Sequence, residues 1–471
     1  MEMKNNKQKK ITPKLVAGFN DYLPKDMIPR QRMFDTIRNV CELYGFVPLE
    51  GPCVEREEIL TGGDPDFKKN IYSVLQFQDF KKIENAIDDG MVKDEKERIF
   101  GEGKALRFDL TIQFARLLAQ YPELPRPLKR YQRGVVWRGE KPQEGRYREF
   151  TQFDVDIAGS TSMMADAEII AIMSAVMKAL GVENFVIKVN NRKVLNGLSE
   201  CAGFNNEITP DVLRIIDKLD KIQWEGVQSG LKEIGLNENQ VDVIKKFIEI
   251  NGSNSEMLMK ASELMKGAPT ALVGISELQE ISKNLEALGV NEALWKIDFS
   301  IARGLGYYTG PVFETEITGL PDDFPIKGSV FSGGRYDGLV EKFSNEFVPA
   351  TGAAVGVDRL FAMLQKLGIL SQEKTVAQAM VLNFDKTAEE YVQKITTELR
   401  SAGIKTELYL GQKKGLRDQL SFAVSSEVPF AIIAGETEMK KDIVLLKNLL
   451  TRTQEEVDKS EIVAKVRSVI S

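Results

Sequence analysis

The 471-residue chain contains no histidine. Ser-His-Asp triads, Cys-His dyads, His-ligated zinc and imidazole general bases are therefore all excluded. Cysteine is scarce too. Cys41, Cys53 and Cys201 are scattered, odd in number and without CxxC spacing, which argues for reduced thiols in a cytosolic protein and against a disulfide frame or zinc site. No run reaches the apolar length a membrane span needs. The basic start, MEMKNNKQKK, has no apolar stretch behind it, so residues 1–17 read as a flexible basic tail and not as a secretory signal. Charge of one sign is also lacking: 63 basic and 69 acidic residues leave −6, so no whole-molecule field draws the chain to DNA or a membrane. What is present, 43% hydrophobic and 28% charged residues, is the balance of a globular protein, and the length points to about three domains.

Residues 18–190 mix helices with alternating strands. Pro29 is expected in the first turn of a helix whose apolar positions Met33, Ile37, Val40 and Tyr44 fall at helical spacing. From about 209 to 288 the pattern is purely helical, as in an insertion. Strand-rich sequence returns at 296–317 and 330–357, and a helix over 358–367 ends at Gly368. After the polar linker Ser371–Lys374, strands and helices alternate across 375–471, which predicts a compact α/β domain with a mostly parallel sheet. No GxGxxG follows its first strand, which argues against a dinucleotide site.

The stretch Arg126–Arg148 carries eight basic residues against Glu140 and Glu144, a local net of +6. A solvated hairpin is one reading. The sharper one is a polyphosphate clamp, with a Pro142–Gly145 loop letting arginines converge, because guanidinium forks match phosphate oxygens. In the following strand Gln152, Asp154 and Asp156 share one face and Phe153, Val155 and Ile157 the other. The polar face is either a wetted sheet surface or the floor of a pocket for a small polar cation. Asp109 and Arg303 are isolated charges beside apolar, strand-like residues, and Arg359 lies in the first turn of a helix. Together these residues suit phosphate chemistry done by positioning and charge stabilisation, without a proton shuttle.

The blocks Gly139–Pro142 through Arg146–Phe150, Arg303–Glu314 (RGLGYYTG within it), Gly333–Gly338 (GGRYDG) and Gly356–Leu360 resemble those of histidyl-tRNA synthetases, a class II family. The resemblance runs from about Gly18 to the C-terminus. It implies an α+β catalytic domain over 18–370, with an antiparallel six-stranded sheet flanked by helices and the helical insertion at 209–288. It also implies an anticodon-binding α/β domain over 375–471 and a homodimer formed through the unit Pro29–Pro52. Arg138 and Arg303 match catalytic positions. Arg138, Glu140, Arg146 and Arg359 match the ATP site, with Arg138 on the α-phosphate. Asp109, Thr111, Gln152, Asp156, Tyr307 and Tyr308 match the histidine site. The implied partners are L-histidine, ATP and tRNA(His), with Mg²⁺ not held by protein side chains alone, and no membrane or DNA. The implied activity is a cytoplasmic ligase of protein biosynthesis: the histidine carboxylate attacks the α-phosphorus, pyrophosphate leaves, and the histidyl group passes to the tRNA 3′ end.

Lys413, Lys414, Arg417, Lys440 and Lys441 would give the last domain a basic face suited to phosphates. Two positions depart from the family pattern. Gly306 stands where Asp or Asn is common, removing one polar contact, and Gln113 stands where proline is common, which is expected to loosen that turn. The alternative is a synthetase-like regulator that binds histidine or a partner enzyme without charging tRNA. Such regulators typically lack the last domain and lose phosphate-contacting arginines, and this chain keeps both. A synthetase for another amino acid conflicts with the RGLxYYTG and GGRYDG pair.

Overall fold

The computed structural model describes residues 11–62, 70–75, 103–301, 307–413 and 415–470. Arg303, Gly306 and Lys414 lie outside the described residues, as does most of the N-terminal tail. The chain divides into two compact units, Met1–Asn20 with Phe34–Ile369, and Asp21–Met33 with Leu370–Ser471.

The helix expected to begin at Pro29 begins at Pro24 and runs to Leu43. Pro24 takes the first-turn place, where a missing N–H costs nothing, and Pro29 lies inside the helix. Its apolar stripe is nonetheless the expected one: Met33, Ile37 and Val40 are buried.

The first unit is organised by β1 (Val47–Pro48), β2 (Val54–Arg56), β3 (Lys104–Leu106), β4 (Leu128–Trp137), β5 (Glu149–Ala158), β6 (Phe185–Asn191), β7 (Trp295–Ile297), β8 (Pro311–Ile317), β9 (Phe331–Arg335) and β10 (Ala350–Gly356). β2 and β3 form a small antiparallel pair of their own. The other eight make one mixed sheet in the order β1-β4-β5-β10-β9-β8-β6-β7. This corrects the expected antiparallel six-stranded sheet. The pairings from β4 through β6 are antiparallel, but a two-residue strand joins parallel at one edge and a three-residue strand joins parallel at the other. Strand character in segments that short does not say which strand they pair with.

Helices pack on this sheet. Met163–Ala179 is capped by Ser162, whose side chain accepts from the Met164 N–H, and it buries Ile169, Ile170, Ile172 and Met173. Thr209–Ile216, Leu219–Glu233, Glu238–Ile248, Asn254–Leu264 and Pro269–Ala287 are helices, two of them opened by capping boxes at Asn237 and Ser253.

The second unit holds β11 (Ala379–Val381), β12 (Thr406–Leu408), β13 (Phe430–Ile433), β14 (Ile443–Asn448) and β15 (Gln454–Asp458) in the order β12-β11-β13-β14-β15. The mostly parallel sheet expected here is half antiparallel: β11 pairs parallel with β12 and β13, while β13–β14 and β14–β15 are antiparallel. The cause is β15, an edge strand of sequence QEEVD whose single buried side chain is Val457. Such a strand leaves almost no hydrophobic signature. Among the described residues no helix is long and apolar enough to cross a membrane.

Candidate active site

Side chains paired across neighbouring strands share a face, so the sheet register lays out the site row by row. One row runs Arg130, Asp156, Gly352, Gly334, Val312 across β4, β5, β10, β9 and β8. The next runs Gln132, Asp154, Ala354, Ser332, Glu314, and a third holds Gly134, Gln152 and Gly356. On this face lies a cavity of about 160 Å³ lined by Asp109, Thr111, Arg138, Gln152, Tyr307, Tyr308, Val312, Phe313, Glu314, Ser332, Gly333, Tyr336, Gly352, Ala353 and Ala354. Drug-sized ligands usually occupy roughly 300–1,000 Å³, so the enclosed part suits one amino acid better than a nucleotide. The small residues of β10, ATGAAVG, keep it open.

Six of the expected residues meet there: Asp109, Thr111, Arg138, Gln152, Tyr307 and Tyr308. Asp109 precedes the helix Thr111–Gln120 and accepts the Ile112 N–H at 3.0 Å, so its charge faces the positive helix end. The Tyr307 hydroxyl donates to its other oxygen at 3.4 Å. Burial raises the Asp109 carboxyl above the usual carboxylate range, while the Ile112 N–H, Arg138 and Tyr307 oppose that. Arg138 is held by a bond from its Nε to the Phe108 carbonyl, 3.1 Å, and its guanidinium stacks 5.1 Å from the Phe150 ring centre. Gln152 is buried, and its Oε1 finds no hydrogen-bond donor among the described residues. Tyr307 and Tyr308 stand edge to face, 4.9 Å between centres, and burial pushes both hydroxyls up.

Asp156 does not line the cavity. It forms a buried ion pair with Arg130 at 2.8 Å and accepts the Tyr336 hydroxyl. A Cβ on Gly352 would come within 1.9 Å of Asp156 Oδ1, so glycine is required for the carboxylate to sit there. Glu140, Arg146 and Arg359 are also absent from the lining. Arg146 is exposed and pairs with Glu140, while Arg359 donates to the Ser329 carbonyl at 2.8 Å beside the Gly145 turn (φ 71°). Part of the arginine-rich stretch is therefore held away from the cavity. Arg126 pairs with Glu346, Lys129 with Glu168, and Arg133 lies over Phe34. Arg126 precedes β4, and Lys129 and Arg133 share the face of that strand opposite to Arg130, so each is held by its own surroundings.

Several lining residues went unassigned in the sequence: Glu314, Ser332, Tyr336 and the β10 alanines. Tyr336 sits inside GGRYDG, and the geometry explains that motif. Gly333 and Gly334 let backbones approach, a Cβ on Gly333 lying 2.0 Å from the Gly352 carbonyl oxygen. Arg335 is buried against Asp166, the Ser160 and Ser162 carbonyls and Asp337, which delivers Tyr336 to the cavity. Gln113, expected to loosen its turn, does the reverse. Fully buried, it donates to the Pro52 carbonyl and to Glu55 and accepts from Arg107 at 3.2 Å, tying the helix to its surroundings. Among the described residues no group of three or more Cys, Asp or Glu side chains is arranged to hold a metal ion.

A cavity with one fixed guanidinium, the unpaired Gln152 amide oxygen and a glycine-rich sheet floor can hold a small zwitterion beside an anionic group. Comparison with known proteins agrees. The family model described as Histidyl-tRNA synthetase matches residues 90–360, and that described as Anticodon binding domain matches 378–469. A relative from Rhodopirellula baltica called Histidine--tRNA ligase is 41% identical over 450 residues, covering 95% of this chain and 96% of that protein. One of the same name from Wolinella succinogenes is 41% identical, covering 93% and 94%. The crystal structure of histidyl-tRNA synthetase from Nostoc sp. PCC 7120 superposes with a TM-score of 0.84 at 32% identity, over 98% of this chain and all of that one. With sequence, fold and cavity in accord over nearly the whole length, the chain belongs to the histidyl-tRNA synthetase family.

Proposed function

We propose that the sheet cavity is where this chain, a histidine–tRNA ligase, activates L-histidine with ATP before passing the histidyl group to the 3′ end of tRNA(His). The observation carrying this reading is that Arg138 shares one cavity with Asp109, Thr111, Gln152, Tyr307 and Tyr308. Arg138 places its fork on the α-phosphate, where negative charge grows as the histidine carboxylate attacks. A donor already held by the Phe108 carbonyl and the Phe150 ring needs no reorganisation. Asp109, Thr111 and Gln152 receive the substrate ammonium, the two tyrosines wall the ring, and Asp156 acts from behind through Tyr336 and Arg130. Arg303 is assigned as the second catalytic arginine on its sequence block alone.

Arg146 and Arg359 are proposed for the outer phosphates, and Glu140 for the ATP site beside them. Their exposed or half-buried places along the loop and the helix start leave them able to re-pair when a triphosphate arrives. ATP brings Mg²⁺, which adds positive charge on the phosphates. Magnesium usually relies on phosphate oxygens and one or two carboxylates, and Glu314, half-buried in the lining, fits as the single protein contributor.

We assign 18–370 to catalysis, with 209–288 inserted, and 375–471 to anticodon reading in the cytoplasm. A homodimer is proposed through Pro29–Pro52, where Leu43 and Val47 leave apolar surface exposed beside an edge strand. The test is pyrophosphate exchange with ATP and single amino acids, followed by charging of tRNA(His). Exchange should depend on histidine. Exchange without it, or with another amino acid alone, would overturn the reading.

A further inference from the structure

Asn190 has no part in the reading above, although it stands on the same face of the sheet as the cavity. It pairs with Val312 across β6 and β8, so it extends the row that begins at Arg130 and Asp156. It does not line the cavity, and it is fully buried. A buried amide is destabilising unless both of its ends are satisfied. Its Oδ1 accepts the Asn191 N–H at 2.8 Å. Its Nδ2 donates to two carbonyls, that of Phe299 at 3.3 Å and that of Ile301 at 2.9 Å. Residues 298–301 belong to no strand or helix, so a side chain supplies the donors that a regular ladder would otherwise provide.

What those carbonyls lead into is the RGLGYYTG block. Ile301 precedes Arg303 by two residues, and the far end of the block brings Tyr307 and Tyr308 to the cavity. That far end is fixed by other groups: the Thr309 N–H donates to the Arg335 carbonyl and the Arg192 N–H to the Gly310 carbonyl, each at 2.8 Å. The near end is held by the Asp298 N–H on the Val189 carbonyl at 3.0 Å, by the Phe299 ring 4.8 Å from that of Phe247, and by Asn190. We propose that Asn190 is a positioning residue for the activation step: by fixing the backbone at Phe299 and Ile301 it sets where Arg303 enters the site. This rests on Arg303 being the second catalytic arginine of the cavity. A misplacement of about 1 Å, caused from outside the reacting groups, is enough to cost on the order of 10²-fold in rate. A donor that acts in the transition state changes kcat and leaves ground-state binding alone.

The test is pyrophosphate exchange by the full-length enzyme carrying Asn190→Ala, Arg303→Ala or both, with rates normalised to active sites. Asn190→Ala should lower kcat about 10–100-fold and leave the KM for histidine and for ATP within about threefold. The double variant should match Arg303→Ala to within about twofold, because the anchor reaches the chemistry through that arginine and by no other route. Losses that multiply, a raised KM at unchanged kcat, or Arg303→Ala at the parental rate would each overturn the proposal. Asn254 is the comparison for a purely structural amide: also buried, it accepts the Ile297 N–H at 2.7 Å and donates to the Trp295 carbonyl at 3.5 Å. Asn254→Ala should melt below the parent with kcat unchanged, and a fall in kcat equal to that of Asn190→Ala would also count against the assignment. Should Asn190→Ala fail to fold, Asn190→Ser, which keeps a donor in a smaller side chain, decides through the same cycle. If the parent enzyme itself shows no histidine-dependent exchange, the underlying site reading falls instead, so the two failures are distinguishable.

Discussion

At the scale of the residue, the cavity separates groups that do chemistry from groups that hold them. Arg138 is anchored by backbone and ring contacts and leaves its fork for a ligand. Arg138→Ala, and separately Arg303→Ala, should lower the rate of pyrophosphate exchange by roughly 10²–10³-fold while melting with the parent; exchange near the parental rate would remove either arginine from its role. Asp156 is a poor probe by comparison, because removing one member of a buried ion pair costs about 3–5 kcal/mol by itself.

Asp154 offers a pH signature. Burial, only partly opposed by Arg130, raises its carboxyl well above the usual carboxylate range. The folded chain then keeps a proton that the unfolded chain has released. The stability this contributes is present at low pH and lost as pH rises through the raised value. Asp154→Asn should therefore melt about 2 °C or more above the parent at pH 8, with the gap closing as pH falls toward the ordinary carboxylate range. Calorimetry across that range checks this, and a gap indifferent to pH would contradict it. Asp109 and Asp156, raised by the same burial, carry the same sign.

At the scale of the element, β10 and the edge strands matter most. Gly352, Ala353 and Ala354 of β10 line the cavity floor. Ala354→Leu should fill it and raise the KM for histidine about tenfold or more, since overpacking a closed space costs about 1–3 kcal/mol. A KM within a factor of two would show that the substrate binds elsewhere.

The long elements could be read from sequence because their apolar spacing is dictated by their own burial, as in Pro24–Leu43 and β5. The pairing at the sheet edges could not, since β1, β7 and β15 are short or polar and nothing local names their partners. The site divides in the same way. Asp109, Thr111, Arg138, Gln152 and the tyrosine pair were recognisable as motif positions. Ser332 and Ala354 reach the cavity by cross-strand register, which no local pattern encodes, and Tyr336 through the anchoring of Arg335. The anchoring of Gln113 is not legible locally because Pro52, Glu55 and Gln132, three of its four polar partners, are distant in the chain. In the second unit Lys413, Arg417, Lys440 and Lys441 are exposed around two helix starts and ends. Replacing Arg417 and Lys441 with Glu should weaken tRNA charging, lower its dependence on salt by about one phosphate contact per residue, and spare pyrophosphate exchange. An equal loss in exchange would mean that the face does not serve tRNA.

At the scale of the whole molecule, a ligase that supplies histidine for translation contains none. Its own synthesis makes no demand on the product it generates. Under histidine starvation, yield of this chain should exceed that of a version carrying several exposed histidine substitutions, measured by pulse labelling; equal yields would remove the advantage.

The same composition has a practical consequence for the buried row of carboxylates. Every protein imidazole resonance is missing, so nitrogen spectra of the complex would contain signals from the ligand ring and nothing else of its kind. Tautomer, protonation and the strength of the contact at the pocket floor would be read against a blank background, in the intact enzyme and without a single substitution.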